Sequence, residues 1–206
     1  MEFKNIKLLS FDAFDTLGRI EKTTRWVQEA MKMIANLPAD FDPLELRRKL
    51  LCTDVPGIDT LRQLNLLSEE QLSSIAKLIT QEKNTIVQVL FAKEILEEAS
   101  SKYKTALISN LGQDYGEPIL QVLDHTFDHV LFSYQVGHVK PQAEMFQRLI
   151  TDSGLEPHEI LHVGNSYESD YLGAISIGMQ AIHLDLRSKH KTTKRIGSIG
   201  ELAHYL

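Results

Sequence analysis

Apolar residues gather in short runs at Ile6–Phe11, Thr105–Ser109, His129–Ser133, Ile160–Val163 and Gln180–Leu184. Runs of this length, bounded by polar or turn residues, predict strands buried on both faces. Between them, Glu117–Leu123, Ala143–Ser153 and Asp170–Ile177 carry a helical period. The alternation predicts βαβ units and so an α/β fold, a Rossmann-like parallel sheet with helices on both faces.

From Glu21 to Ser101 the rhythm breaks and no strand-like run stands out. Helical periods occur at Thr23–Leu37, Pro43–Leu51, Ser68–Ile79 and Ala92–Ser101, punctuated by Pro38, Pro43, Pro56 and Gly57. Ser68 followed by Gln71 predicts a capping box. The pattern implies an all-helical insertion after the first strand. Residues 18–88 would form this helical cap domain, and residues 1–17 and 89–206 the α/β core domain.

Bulk composition adds exclusions. A chain of 206 residues, 43% hydrophobic and 24% charged, can bury a substantial core. A net charge of −6 gives no reason to expect a nucleic-acid or membrane partner. The basic run Lys189–Arg195 reads as a solvated loop. Cys52 is the one cysteine, too few for a disulfide framework. It reads as a small core hydrophobe in a reducing, cytoplasmic compartment. The first seven residues are charged and too short for a signal peptide, and no apolar run is long enough to span a membrane. Nothing in the sequence signals an oligomeric state.

Four segments carry candidate chemistry, and each sits at the carboxyl end of an expected strand, where open α/β sheets bind ligands. Asp12 ends the first strand and would act as a nucleophile. Lys140 would balance its charge and that of an anionic substrate. Ser109 and Asn110 can donate hydrogen bonds to substrate oxygens. Asp170 would orient Lys140 or help hold Mg²⁺. Each also has a plainer reading. Asp12, Asp15 and Asp170 are common helix or turn caps, Ser-Asn is ordinary turn chemistry, and Lys140 is one more lysine.

The joint order of these segments resembles the haloacid dehalogenase superfamily, in its subgroup with a helical cap. The first motif matches Phe11-Asp12-Ala13-Phe14-Asp15-Thr16-Leu17 and the second Ile108-Ser109-Asn110. The third matches Gly137-His138-Val139-Lys140-Pro141, with Phe146 in the helix that follows. The fourth matches Val163-Gly164-Asn165-Ser166 through Asp170 to Gly173-Ala174. The resemblance implies Asp12 and Lys140 as catalytic residues and a small-molecule substrate. It implies Mg²⁺ held by Asp12, the Phe14 carbonyl, Asp170 and the residue at Asn165.

Two positions depart from the pattern. Family phosphatases place a general acid two residues beyond the nucleophile, where this chain has Phe14. A metal-associated Asp is expected where this chain has Asn165. The resemblance therefore implies a weak, Mg²⁺-dependent phosphatase acting on a small phosphorylated metabolite. One alternative is a metal-independent 2-haloacid dehalogenase, a branch that carries an aromatic residue at the Phe14 position and needs no proton for a halide. That branch also uses a cap arginine, for which Arg25, Arg47 and Arg48 are candidates. The other alternative is a catalytically impaired binding or regulatory protein. In the cap, Trp26 reads as core or as a lid contact.

Overall fold

The computed structural model describes residues 3–34, 39, 41–187 and 194–206. Its strands are β1 (Leu8–Phe11), β2 (Gly18–Ile20), β3 (Ile86–Gln88), β4 (Lys104–Ser109), β5 (His129–Phe132), β6 (Ile160–Gly164), β7 (Gln180–Leu184) and β8 (Arg195–Ile196). Its helices are α1 (Trp26–Met33), α2 (Pro43–Cys52), α3 (Gly57–Leu64), α4 (Glu69–Lys83), α5 (Ala92–Lys102), α6 (Gln113–Leu123), α7 (Ser133–Val136), α8 (Ala143–Ser153) and α9 (Gly173–Ser176). The main sheet has the order β5-β4-β1-β6-β7-β8, with every pairing parallel. This is the α/β sheet that the apolar runs predict.

Alternation along β1 divides the core. Leu9 and Phe11 join a cluster with Ile95, Leu96 and Ile119 on one face, while Leu8 joins Met145, Phe146 and Leu149 on the other. Because both faces are covered, β1 is wholly buried and reads as an unbroken apolar run. Its neighbours β4 and β6 run beside it in register, Phe11 opposite Leu107 and Val163. The residues just beyond these three strand ends therefore emerge together.

Helices α1 to α4 lie between β2 and β3 and share a separate cluster built on Trp26, Leu46, Leu61, Leu72 and Ile75. The predicted capping box opens α4: Gln71 N–H donates to Ser68 Oγ, and Gln71 Oε1 accepts from Ser68 N–H. The expectation of a purely helical insertion is corrected. β2 and β3 form an antiparallel ribbon at its neck, Gly18 opposite Gln88 and Ile20 opposite Ile86. Three-residue strands have no readable period, and their pairing is set where the two ends of the insertion meet. α3 was likewise unforeseen, because Pro56-Gly57 reads as punctuation although it starts a helix.

Elsewhere the limits shift. The period predicted over Thr23–Leu37 forms α1, and residues 35–37 lie outside the described residues. Residues 189–193 of the basic run also lie outside them, while Arg195 opens β8. The helix predicted from Asp170 begins earlier, as a π-helical turn over Tyr167–Leu172 that leads into α9. Among the described residues no helix is long and apolar enough to cross a membrane.

Candidate active site

Asp12 follows β1 directly, and its backbone N–H donates to Val163 O of β6 at 2.9 Å. The loop then turns back on itself: Leu17 and Gly18 both donate to Ala13 O, and Asp15 adopts a left-handed φ of 58°. Asp15 is exposed and belongs to this turn. Asp12, by contrast, is buried against three other segments. Its Oδ1 accepts from Lys140 Nζ at 2.7 Å and from Ser109 Oγ at 3.0 Å. Its Oδ2 has a single long contact, from Thr16 Oγ1 at 3.5 Å.

Lys140 is 3% exposed, and its ammonium meets Asp12 Oδ1, Asp170 Oδ1 and Ile108 O, each at 2.7 Å. Asn110 fixes the backbone that carries it. Its Oδ1 accepts from Lys140 N–H and its Nδ2 donates to Lys140 O, at 2.7 and 2.8 Å. Asn110, expected to face substrate, thus spends its amide mainly as a clamp on Lys140 while still lining the cleft.

Asp170 comes from the π-helical turn. Ser166 caps that turn through its side chain, so the plainer reading of Asp170 as the cap fails. Asp170 Oδ2 accepts from Ser166 N–H at 2.9 Å, and Oδ1 receives His162 Nε2 at 3.3 Å as well as Lys140. A Cβ on Gly164 would fall 2.4 Å from Asp170 Cγ, so the close approach of this carboxylate to β6 requires glycine there.

His162 was not legible as a site residue. It is fully buried on β6, bonded through Nδ1 to Ser10 Oγ at 2.9 Å, with the Phe146 ring edge-on to it. Burial disfavours its charged form and lowers its pKa. The neutral ring then donates from Nε2 to Asp170 and accepts from Ser10 at Nδ1, which assigns the tautomer.

One ammonium serves two carboxylates, and their affinities for protons diverge. Burial opposes ionisation of both. For Asp170 the Lys140 charge and the His162 hydrogen bond outweigh it and hold the carboxyl well below the usual range. For Asp12 burial prevails over Lys140, with Asp170 adding repulsion, so its pKa is raised. Burial alone would depress Lys140, but the two acids outweigh it and raise its pKa. The trio carries a net charge of −1 when all three are ionised.

As a Mg²⁺ site these residues offer few free oxygens. Asp170 has both oxygens engaged, Asp12 has only Oδ2 open, Asn165 is neutral, with its backbone carbonyl accepting from His183 Nε2 at 3.1 Å, and Phe14 can offer only a neutral backbone carbonyl. No group of three or more His, Cys, Asp or Glu side chains placed to hold a metal occurs among the described residues. Hard dications prefer several oxygen ligands with carboxylate charge. The donor set present does not fit a tightly held Mg²⁺.

A cavity of ≈ 370 Å³ opens beside Lys140 and Asn110, walled by Arg47, Arg48 and Cys52 of α2 and by His138 and Gln142. Arg48 is held by Glu45, at 2.7 and 2.8 Å. Arg47 is exposed, and no ion pair places it with a carboxylate among the described residues. Arg25 sits at the start of α1 and is not part of this wall. Cys52, read as a core hydrophobe, is half-buried in the wall instead. Asn165 and Asp15 line a different cavity with His183 and Asp185.

The helical segment docks over the site through α6. Asp114 Oδ2 accepts from Gly57 N–H at 2.7 Å, and Trp26 Nε1 donates to the Tyr115 hydroxyl at 2.9 Å. That hydroxyl donates to buried Glu82, whose other oxygen accepts from Thr24 and Arg25. The Tyr115 ring also meets Phe14 edge-on, centroids 6.1 Å apart. Phe14 is thus packing where an acid was expected. Tyr115→Phe would leave Glu82 and Trp26 each short of a partner, at a cost of about 1–3 kcal/mol. Trp26 is the only tryptophan, so the expected readout is a red-shifted emission together with a lowered melting temperature. An unchanged spectrum and melt would show that the hydroxyl holds nothing.

A family model described as haloacid dehalogenase-like hydrolase matches residues 13–184. The chain belongs to this family. It is 28% identical over 129 residues to haloacid dehalogenase-like hydrolase domain-containing protein 3 of Xenopus laevis, a match covering 60% of this chain and 53% of the frog protein. The chain thus spans about half the length of that relative. It is 29% identical over 200 residues to the glyceraldehyde 3-phosphate phosphatase of Pyrococcus furiosus, covering 87% and 80% of the two chains. Among solved structures, the 2-haloacid dehalogenase of Pseudomonas syringae pv. Tomato DC3000 aligns with a TM-score of 0.65 at 18% identity, covering 97% of each chain. At that identity the likeness is one of fold.

Proposed function

We propose that this hydrolase is a phosphatase of small phosphorylated metabolites in which Asp12 attacks phosphorus. The observation that carries the reading is the asymmetric Asp12 carboxylate. Oδ1 is fixed by Lys140 and Ser109, Oδ2 keeps a lone pair clear of all but a long Thr16 contact, and Lys140 itself lines a cleft of metabolite size. Burial keeps this carboxylate more basic than a solvated one, which favours nucleophilic attack. Lys140 and the cleft arginine Arg47 would offset the charge of the phosphoryl group. Relatives named as phosphatases of glyceraldehyde 3-phosphate and phosphoglycolate support this chemistry.

The reaction runs in two displacements. Asp12 Oδ2 bonds to phosphorus as the leaving oxygen departs with its electron pair. Water then attacks the same phosphorus and releases Asp12 and inorganic phosphate. Incubation with p-nitrophenyl phosphate is expected to release phosphate slowly, and acid quench to trap a phosphoryl adduct on Asp12. Mg²⁺ is expected to change the rate by less than about tenfold, in keeping with a site short of carboxylates. An adduct elsewhere, or none during turnover, would refute Asp12 as the nucleophile.

A second reading rests on Phe14. With an aromatic ring packed on Tyr115 at this position, the same Asp12 is equally suited to displacing halide from a 2-haloacid. Chloride release from 2-chloropropionate is the measurement that separates the two.

A further inference from the structure

Cleavage of an alkyl phosphate needs a proton for the departing oxygen, and positioned acids typically supply about 10²–10⁴ in rate. Among the described residues the proton-bearing groups in contact with Asp12 are committed or are weakly acidic hydroxyls, Thr16 Oγ1 already pointing its proton at Asp12 Oδ2. The Lys140 ammonium has three acceptors, each at 2.7 Å, which accounts for its three N–H bonds. Ser109 donates to Asp12 itself. His162 is fully buried between Ser10 and Asp170, and Asp170 is held ionised by Lys140. The Tyr115 hydroxyl donates to Glu82. Asp15 opens on the other cavity. His138 and Cys52 are in the cleft wall, but neither has a bond to Asp12, Lys140 or Asn110, and the nearest acid to His138 is Glu144 at 3.9 Å.

We infer that the substrates are mixed phosphoric–carboxylic anhydrides, that is acyl phosphates, in preference to alkyl phosphate monoesters. This rests on the Asp12 reading above and narrows it. In the first displacement the bond from Asp12 Oδ2 to phosphorus forms and the bond from phosphorus to the acyl oxygen breaks. The electron pair goes to a carboxylate, which leaves without a proton. The conjugate acid of such a group has a pKa of about 4, against about 16 for an oxygen comparable to water. Hydrolysis of the phosphoryl-Asp12 intermediate consumes one water, returns the Asp12 carboxylate, and yields inorganic phosphate and one proton to solvent. The Asp12 oxygen is itself a carboxylate leaving group at phosphorus, so the second displacement also proceeds without an acid.

The test is a leaving-group series on the intact protein. kcat/KM is measured for acetyl phosphate, p-nitrophenyl phosphate, phenyl phosphate and benzyl phosphate, with Asp12→Asn as the blank for spontaneous hydrolysis. The expected result is a steep decline, from acetyl phosphate to benzyl phosphate by at least about 10³, the size of the missing proton transfer. Phe14→Asp is expected to raise benzyl phosphate turnover by about 10² or more and flatten the series. A shallow series in the wild type overturns the inference while leaving the Asp12 reading intact. A shallow series that steepens in His138→Ala overturns it too, by identifying His138 as the acid. Absence of any Asp12-dependent turnover, acetyl phosphate included, overturns both. If Phe14→Asp does not fold, the wild-type slope alone decides.

Discussion

Asp12→Asn is expected to lower turnover by about four decades or more while raising the melting temperature. The first half follows from chemistry. An amide oxygen does not form the phosphoryl intermediate, and losing a nucleophile from a concerted site has cost about 10⁶ elsewhere. The second half follows from the charge balance, since Lys140 must serve both Asp12 and Asp170. The Asp12 pKa is raised by burial and by Asp170. The native state therefore holds that proton more firmly than the unfolded chain does. The corresponding stabilisation is complete below the unfolded value, about 3.9, and is lost as pH rises through the native value. At pH 7 the ionised Asp12 is a net burden on the fold. Asn keeps an oxygen for Lys140 and Ser109 and removes that burden. A gain of about 1 kcal/mol corresponds to about 2–4 °C in a chain of this size. Thermal melts of the two proteins should diverge at neutral pH and converge toward pH 4. A variant that melts below wild type at pH 7 would refute the account of the charges.

How far these relationships could be read in advance depended on their range along the chain. Strand-like runs and their order were legible because a central parallel strand buries both faces, as Leu8–Phe11 does. Asp12, Ser109, Lys140 and Asp170 were legible because strand-end positions converge in such a sheet. What escaped was set by tertiary pairing. The ribbon of β2 and β3 exists only because residues 18–20 and 86–88 meet across the whole insertion. His162 reads as one polar residue within an apolar strand, and only the fold brings Ser10 and Asp170 to its two nitrogens. The Glu82–Tyr115–Trp26 network joins three helices with no shared local signal, although a buried tyrosine and tryptophan commonly find partners for their polar atoms. Asn110 shows the same limit at a site residue. Its position was foreseen, but its clamp on the Lys140 backbone was not.

Lys140→Met is expected to remove turnover and to destabilise the fold by about 3–5 kcal/mol, the usual cost of stripping the partner from a buried charge. Asp170 then loses the ion that holds its pKa down, and Asp12 loses the one cation bonded to it among the described residues. Two neighbouring carboxylates without a counter-ion cannot both stay ionised, so one takes up a proton. The pH dependence of stability between pH 7 and 5 should therefore steepen. In the wild type, depressed Asp170 stabilises above the ordinary carboxylate range, and this is lost as pH falls through its native value. Lys140, whose pKa is raised, stabilises fully below about 10.4, and this is lost as pH rises past it. Between those limits the raised Asp12 makes the wild type more stable as pH falls from 7 toward 5, and the variant, with two uncompensated acids, should gain more over the same range. Combining the substitutions isolates the cause. In Asp12→Asn, Lys140→Met removes the partner of one acid where the single variant strips two. The cycle should show a coupling of about 0.5–3 kcal/mol, with the double variant more stable than the sum of the singles predicts. Strict additivity in chemical denaturation would mean that Lys140 does not mediate between the two carboxylates.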